Sequence, residues 1–265
     1  MASSGNGPTI IEFLPDLTTK KKKGVHRPVY ANVFAQQVTQ GDEVKVIHLM
    51  VNPYSGKKRG EKIAQQAKTA FEAKSIGVTM HLSSYSGELI ELAANLSTQA
   101  TDVVAVVGGD GSLSEVITGL MQVKSSCRVG LIPAGTGNSM ANDLKITSTE
   151  EAINRICGGN YQLLDLAKVD MVAGLPGSEN GELTRYSANL VTWGLGVDST
   201  IRAEKMRWMG PMRYDVGILL AIMANNRRHA TLTIDGHAIE DDFTLFLIQN
   251  SQTCLLYTSP SPRDR

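Results

Sequence analysis

The 265-residue chain has three cysteines, Cys127, Cys157 and Cys254, and no C-x-x-C pair. So sparse and odd a set argues against a disulfide scaffold and a structural zinc site, and fits free thiols in a reducing compartment. Net charge is missing as well. Its 26 Lys and Arg balance 26 Asp and Glu, which leaves no basic footprint for DNA or RNA. The longest apolar run, VGILLAIMA from Val216 to Ala224, is far short of the roughly 20 residues that a bilayer span needs. The opening MASSGNGPT holds no apolar segment of the signal-peptide kind. No G-x-G-x-x-G opens the helix after the first strand, which disfavours a dinucleotide-dependent dehydrogenase. These absences point to a cytoplasmic protein without a nucleic-acid partner, at most a transient visitor to membrane surfaces.

What is present is enough for a folded core. Apolar residues make up 42% and charged residues 20%, which excludes disorder throughout. At about 150 residues per domain, the length allows one large domain or two small ones. Val44–Val51, Val78–Leu82, Val103–Val107 and Val129–Ile132 read as strands. VVAVV at 103–107 is apolar throughout, as in a central parallel strand covered on both faces. Helical stripes lie over Glu61–Lys74, Glu88–Leu96 and Ser114–Gln122, and Ser148 with Glu151 forms a capping box for a helix reaching Cys157. Alternating strands and helices predict an α/β domain with a parallel sheet, whose ligands bind at the carboxyl ends of the strands.

The texture changes near residue 161. Tyr161–Val169, Arg185–Trp193, Ala230–Ile234 and Phe243–Ile248 read as strands, DFTLFLI from Asp242 as a buried one, and Tyr214–Asn225 as a helix between them. Residues 1–40 have no period; they read as a flexible leader whose run Lys20–Lys23 could be attracted weakly to anionic lipid. At the other end, two Ser-Pro pairs in CLLYTSPSPRDR continue neither strand nor helix. Cys254–Asp264 resembles a translated sequencing adapter, so residues 254–265 are set aside, and the natural chain is expected to continue beyond residue 253. The expected plan is a leader at 1–40, an α/β domain at 41–160 and a partial, mostly β domain at 161–253.

Chemistry concentrates where strands end. Gly108-Gly109-Asp110-Gly111-Ser112 follows the apolar strand. Its glycines let backbone approach a phosphate, and the amides of Gly111 and Ser112 with the next helix's N-terminus make an anion site. An acid amid phosphate ligands binds Mg²⁺ or takes a proton from an attacking hydroxyl, which suggests phosphoryl transfer; the alternative is a tight turn with a solvated Asp. Gly135-Thr136-Gly137-Asn138-Ser139 and Asn52-Pro53-Tyr54-Ser55-Gly56 close two more strands. Each is weak alone, but three such loops at one sheet edge could share one nucleotide. Further on, Trp193-Gly194-Leu195-Gly196-Val197-Asp198 leads into Glu204-Lys205-Met206-Arg207-Trp208-Met209-Gly210-Pro211-Met212-Arg213-Tyr214. Arg207 and Arg213 could neutralise a transferring phosphate, or the stretch is a solvated amphipathic helix.

The ordered set N-P-x-S-G, G-G-D-G-S, G-T-G-N-S and W-G-x-x-x-D-x5-E-K-x-R-W-x-G-x-x-R-Y resembles the diacylglycerol kinase catalytic domain superfamily, in its sphingosine kinase and ceramide kinase branch, over Val44–Asn250. The resemblance implies a nucleotide-binding α/β domain followed by a β-sandwich that holds acyl chains. It implies ATP and Mg²⁺, and transfer of the γ-phosphate to a lipid hydroxyl. Asp110 would then be the general base. Asn52, Ser55, Gly56, Ser83, Gly109, Gly111, Ser112, Gly135, Thr136 and Gly137 would line the nucleotide. Glu204, Arg207 and Arg213 would complete the nucleotide and phosphate side, and Asp198 would lie at the lipid head-group end. Where sphingosine kinases carry a second acid, two residues after the position of Asp198, this chain has Thr200. That favours a neutral lipid, ceramide or diacylglycerol, over a cationic sphingoid base. The family's final Asp-Gly motif is absent, since Asp235-Gly236 comes too early. An NAD kinase-like enzyme and a catalytically dead nucleotide- or lipid-binding module remain as alternatives.

Overall fold

The computed structural model describes residues 10–12, 38–98, 102–136, 138–172, 182–206, 209, 212–224, 226–234, 236–250, 253–254 and 257–258. Gly137, Arg207, the Lys20–Lys23 run and most of the leader and tail lie outside them. The chain divides into two compact units, residues 1–189 with 250–265, and residues 190–249.

The first unit is the expected α/β layer structure. Strands β2 (Val46–Val51), β3 (Gly77–Leu82), β4 (Asp102–Gly108) and β5 (Arg128–Pro133) pair in parallel in the order β3-β2-β4-β5. Strand β1 (Ile10–Glu12), within the expected leader, runs antiparallel to β5 and parallel to β6 (Tyr161–Leu163). Helices α2 (Gly60–Glu72), α3 (Glu88–Ala94) and α4 (Asp110–Gln122) connect the parallel strands. Every residue of β4 is buried, and Val103–Val107 are fully so, which explains its unbroken apolar run. Each of these valines contributes about 1.5–3 kcal/mol on leaving water. The chain leaves β2 for β3 on one side and reaches β4 on the other. That reversal opens a crevice at the strand ends, where ligands of open α/β sheets bind. Cys127 is buried and Cys157 half-buried, both as free thiols.

Helix α6 (Thr149–Cys157) begins as the sequence predicts, with the Glu151 N–H donating to Ser148 Oγ at 3.1 Å. The returning contact differs from a capping box. Glu151 Oε2 accepts the N–H of Thr147, not of Ser148, at 2.8 Å, and its carboxylate also meets Arg155. These partners, Thr147 first, hold the Glu151 carboxyl at about 2, below its ordinary 4.5. A lowered folded-state value stabilises above the unfolded value and is lost as pH falls through the folded one. Glu151→Gln should therefore lower Tm at neutral pH, with the difference closing between pH 4.5 and about 2. A gap that persists at pH 2 would contradict the assignment.

Two single strands expected after residue 160 are each interrupted. Tyr161–Val169 becomes β6 and β7 (Ala167–Val172), and Arg185–Trp193 becomes β8 (Glu182–Ser187) and β9 (Leu190–Gly194). Bends at Ala188 and Asn189 break the second. Strands β7 and β8 pair antiparallel, and β8 docks on α4: Ser114 Oγ donates to the Tyr186 carbonyl at 2.7 Å, and the Tyr186 N–H to Thr118 Oγ1 at 3.1 Å.

In the second unit, β9 pairs antiparallel with β12 (Leu245–Gln249), and Trp193 stacks on Phe246 with ring centroids 5.1 Å apart. Helices α7 (Leu195–Lys205) and α8 (Arg213–Ala224) follow β9, then the hairpin β10 (Arg228–Ile234) and β11 (His237–Phe243). The expected buried strand at Asp242–Ile248 is corrected. Its start belongs to β11, Thr244 is a bend, and Leu245, Leu247 and Ile248 are 42–56% exposed. Among the described residues, β12 pairs with β9 alone. In the tail, Thr253–Cys254 (β13) pairs with Tyr257–Thr258 (β14). No helix among the described residues is long and apolar enough to cross a membrane.

Candidate functional site

The carboxyl ends of β2, β3, β4 and β5 gather four loops of the first unit. After β2, the Asn52 N–H donates to the Val107 carbonyl at 3.2 Å, which keys this loop to β4. Asn52 Oδ1 accepts the Tyr54 N–H at 3.0 Å and folds the turn, while its Nδ2 donates to Ser112 Oγ at 3.3 Å. Ser55 and Gly56 are buried and open the short helix α1 (Ser55–Lys58). Gly56 has a φ of +54°, and a Cβ there would stand 2.1 Å from the Ala134 carbonyl oxygen. The loops after β2 and β5 therefore touch backbone to backbone.

The loop after β4 departs from the sequence reading. Asp110, Gly111 and Ser112 form the first turn of α4, which was expected to start at Ser114. Gly109 is the extended residue before it. The first-turn amides of a helix lack intrahelical acceptors, so this start keeps N–H groups available at the crevice. Gly111 is exposed, with open space where a Cβ would go. Gly135 lies against Gly109: an added Cβ would be 2.6 Å from the Gly109 Cα. The Gly135 N–H donates to Asn138 Oδ1 at 3.0 Å, and Thr136 is exposed between them.

Asp110 is not a free carboxylate pointing into solvent. Its Oδ2 accepts the Ser139 N–H at 2.9 Å and its Oδ1 the Met140 N–H at 3.0 Å, at the start of α5 (Ser139–Asp143). Ser83, after β3, turns inward; its hydroxyl donates to the Val51 carbonyl at 3.3 Å. These contacts join Asn52 to Ser112, Gly56 to Ala134, Gly135 to Gly109 and Asp110 to Ser139 and Met140, with buried Ser55 and exposed Gly111 and Thr136 on the same loops.

The remaining candidates lie in the second unit. Asp198, in the first turn of α7, is held by Arg228 through both carboxylate oxygens at 2.8 and 3.0 Å. That bond keeps the Asp198 carboxyl below its usual range. The Arg228 guanidinium also lies over the Trp193 ring at 5.9 Å from its centroid. Thr200 Oγ1 donates to the Gly196 carbonyl at 2.9 Å, a contact within the helix. Arg213 opens α8 and is half-buried, while the Glu204 side chain lies outside the described residues.

Two residues of these clusters escaped the sequence reading. Arg228 is thirty positions from Asp198, and no local pattern announces the pair. Glu115 accepts the Gly87 N–H at 3.2 Å, and its place in G-G-D-G-S-x-x-E was the available signal. No cluster of three or more His, Cys, Asp or Glu able to hold a metal occurs among the described residues.

This unit has the build of an α/β domain with glycine loops gathered at a switch of strand order. Residues 46–169 match the family model of the diacylglycerol kinase catalytic domain. The chain is 28% identical over 218 residues to sphingosine kinase 1 of Arabidopsis thaliana, covering 78% of this chain and 43% of the relative. It is 28% identical over 207 residues to human ceramide kinase, covering 70% and 37%. Its fold resembles a crystal structure of a diacylglycerol kinase from Bacillus anthracis str. Sterne, with a TM-score of 0.55 and 20% identity, covering 81% of this chain and 67% of that one. The chain therefore spans less than half the length of the plant and human relatives.

Proposed function

We propose that the protein is an ATP-dependent lipid kinase that phosphorylates a hydroxyl of ceramide, a sphingoid base or diacylglycerol. The observation that supports it most is the meeting of the loops after β2 and β5 on the first turn of α4. Gly56, Gly109 and Gly135 leave no side chain between those backbones, so amides and exposed Gly111 and Thr136 face the crevice. That is a donor set for phosphate oxygens. Mg²⁺ usually keeps several waters and binds through substrate phosphates, so with ATP bound it would rest chiefly on phosphate oxygens and leave Asp110 free for the proton. Bound there, Mg²⁺ would offset charge on the transferring phosphoryl group.

In this reading residues 41–160 bind the nucleotide and residues 161–253 the lipid, at a transiently docked membrane surface. Asp110 receives the proton of the attacking hydroxyl. Its oxygens each accept one N–H and keep a second lone pair for that proton. Arg207 and Arg213 neutralise the phosphates, Glu204 helps to complete the nucleotide side, and Asp198 marks the lipid head-group end. Arg228 already occupies Asp198, and Thr200 supplies no second charge. A cationic sphingoid base would therefore compete with an arginine for its counter-ion, which favours a neutral lipid.

Labelled ATP offered with ceramide, diacylglycerol or sphingosine in mixed micelles tests this. We expect lipid-bound label, with ceramide or diacylglycerol ahead of sphingosine. Label on NAD and on none of the lipids would favour an NAD kinase-like enzyme. ATP binding without transfer would favour a dead module.

A further inference from the structure

The first two turns of α4 carry three side chains that each end on a different loop. Asp110 accepts the N–H groups of Ser139 and Met140, after β5. Ser112 Oγ accepts from Asn52 Nδ2, after β2. Glu115 Oε1 accepts the N–H of Gly87, after β3. With about 100° of turn per residue, positions 112 and 115 stand roughly 200° and 140° around the helix from position 110, so Asp110 serves one side of the helix while Ser112 and Glu115, one turn apart on the other side, reach two further loops. Gly87 sits at a φ of +94° and precedes α3, so its N–H is fixed at the end of the loop that starts with Ser83. Burial pushes the Glu115 carboxyl up, while the Gly87 N–H and nearby Arg185 act the other way. The Leu89 N–H also bonds to this half-buried carboxylate, so Glu115 ties both Gly87 and the start of α3 to α4, and removing its oxygens takes the acceptor from both amides.

We propose that α4 sets the spacing of the loops around the crevice, with Glu115 as a positioning residue for the nucleotide. It acts through Gly87 and residues 83–87, as Asp110 acts through Ser139 and Met140. The inference rests on the nucleotide reading of this crevice and not on the identity of the phosphate acceptor. It gives Asp110 a second task, separate from proton transfer, that acts on nucleotide affinity.

The test uses the whole chain and four proteins: wild type, Glu115→Ala, Glu115→Gln and Asp110→Asn. ATP affinity is measured by calorimetry, and amide hydrogen exchange is followed at Gly87, Ser139 and Met140. Glu115→Ala should lose protection at Gly87 and bind ATP roughly tenfold more weakly, the size of one lost charge-assisted hydrogen bond. Glu115→Gln keeps an acceptor oxygen and should stay within about threefold of wild type. Asp110→Asn presents an N–H₂ to one of two N–H donors, so Ser139 or Met140 should exchange faster and ATP affinity should fall. Folded variants with wild-type exchange and wild-type ATP affinity would overturn the proposal. Should Glu115→Ala not fold, Asp110→Asn decides by the same two readouts. A wild type that binds no ATP removes the nucleotide reading itself, and exchange then decides the loop contacts alone.

Discussion

Asp110→Asn should lower turnover at saturating ATP and lipid by at least about 10²-fold, the usual size of a general-base effect. The substitution keeps the side chain's shape and one acceptor oxygen, so the fold should survive. Turnover falls because an amide cannot take the hydroxyl proton. Measuring at saturating ATP separates this loss from any loss of affinity through Ser139 and Met140. Initial rates on protein with an unchanged melting profile are the readout. Near-normal turnover would remove Asp110 from proton transfer.

Gly135→Ala should have the second large effect. The new Cβ would stand 2.6 Å from the Gly109 Cα and 2.8 Å from Asn138 Oδ1. The nearer neighbour is backbone, so two loops must part. Overpacking of this kind costs about 1–3 kcal/mol. ATP affinity should fall by at least tenfold, since the separation of the glycine loops sets where their amides lie. Gly111→Ala is the control. Its Cβ meets open space, and replacing a helical glycine should raise stability by up to about 1 kcal/mol. If phosphate closes on this turn as proposed, Gly111→Ala weakens ATP binding while raising Tm. A Gly135→Ala protein with wild-type stability and ATP affinity would contradict the close packing of the loops.

The parallel sheet was legible because burial on both faces writes itself as unbroken apolar runs, VVAVV above all. The start of α4 was not. Gly108-Gly109-Asp110-Gly111-Ser112 reads as a loop by helix propensity, yet the helix begins at Asp110, with Ser112 buried against Gly108 and reached by Asn52. Helix α7 was hidden by Gly194 and Gly196 at its entry. Strand β11, HAIEDDF, is acidic and mostly exposed, so period-2 hydrophobicity barely marks it, while the apolar β12 was taken for core and is partly open. At the site, the motifs located the loops but not their contacts. A carboxylate on backbone amides twenty-nine residues away, or an aspartate paired with Arg228, follows from the tertiary path alone.

The most direct test of the central claim offers γ-labelled ATP, lipid vesicles containing ceramide and diacylglycerol, and NAD to the wild-type chain in one reaction, followed by phase partition. Label in the organic phase, lost with Asp110→Asn, is the expected result. Label confined to the aqueous phase, on NAD or left on ATP, would contradict lipid phosphorylation.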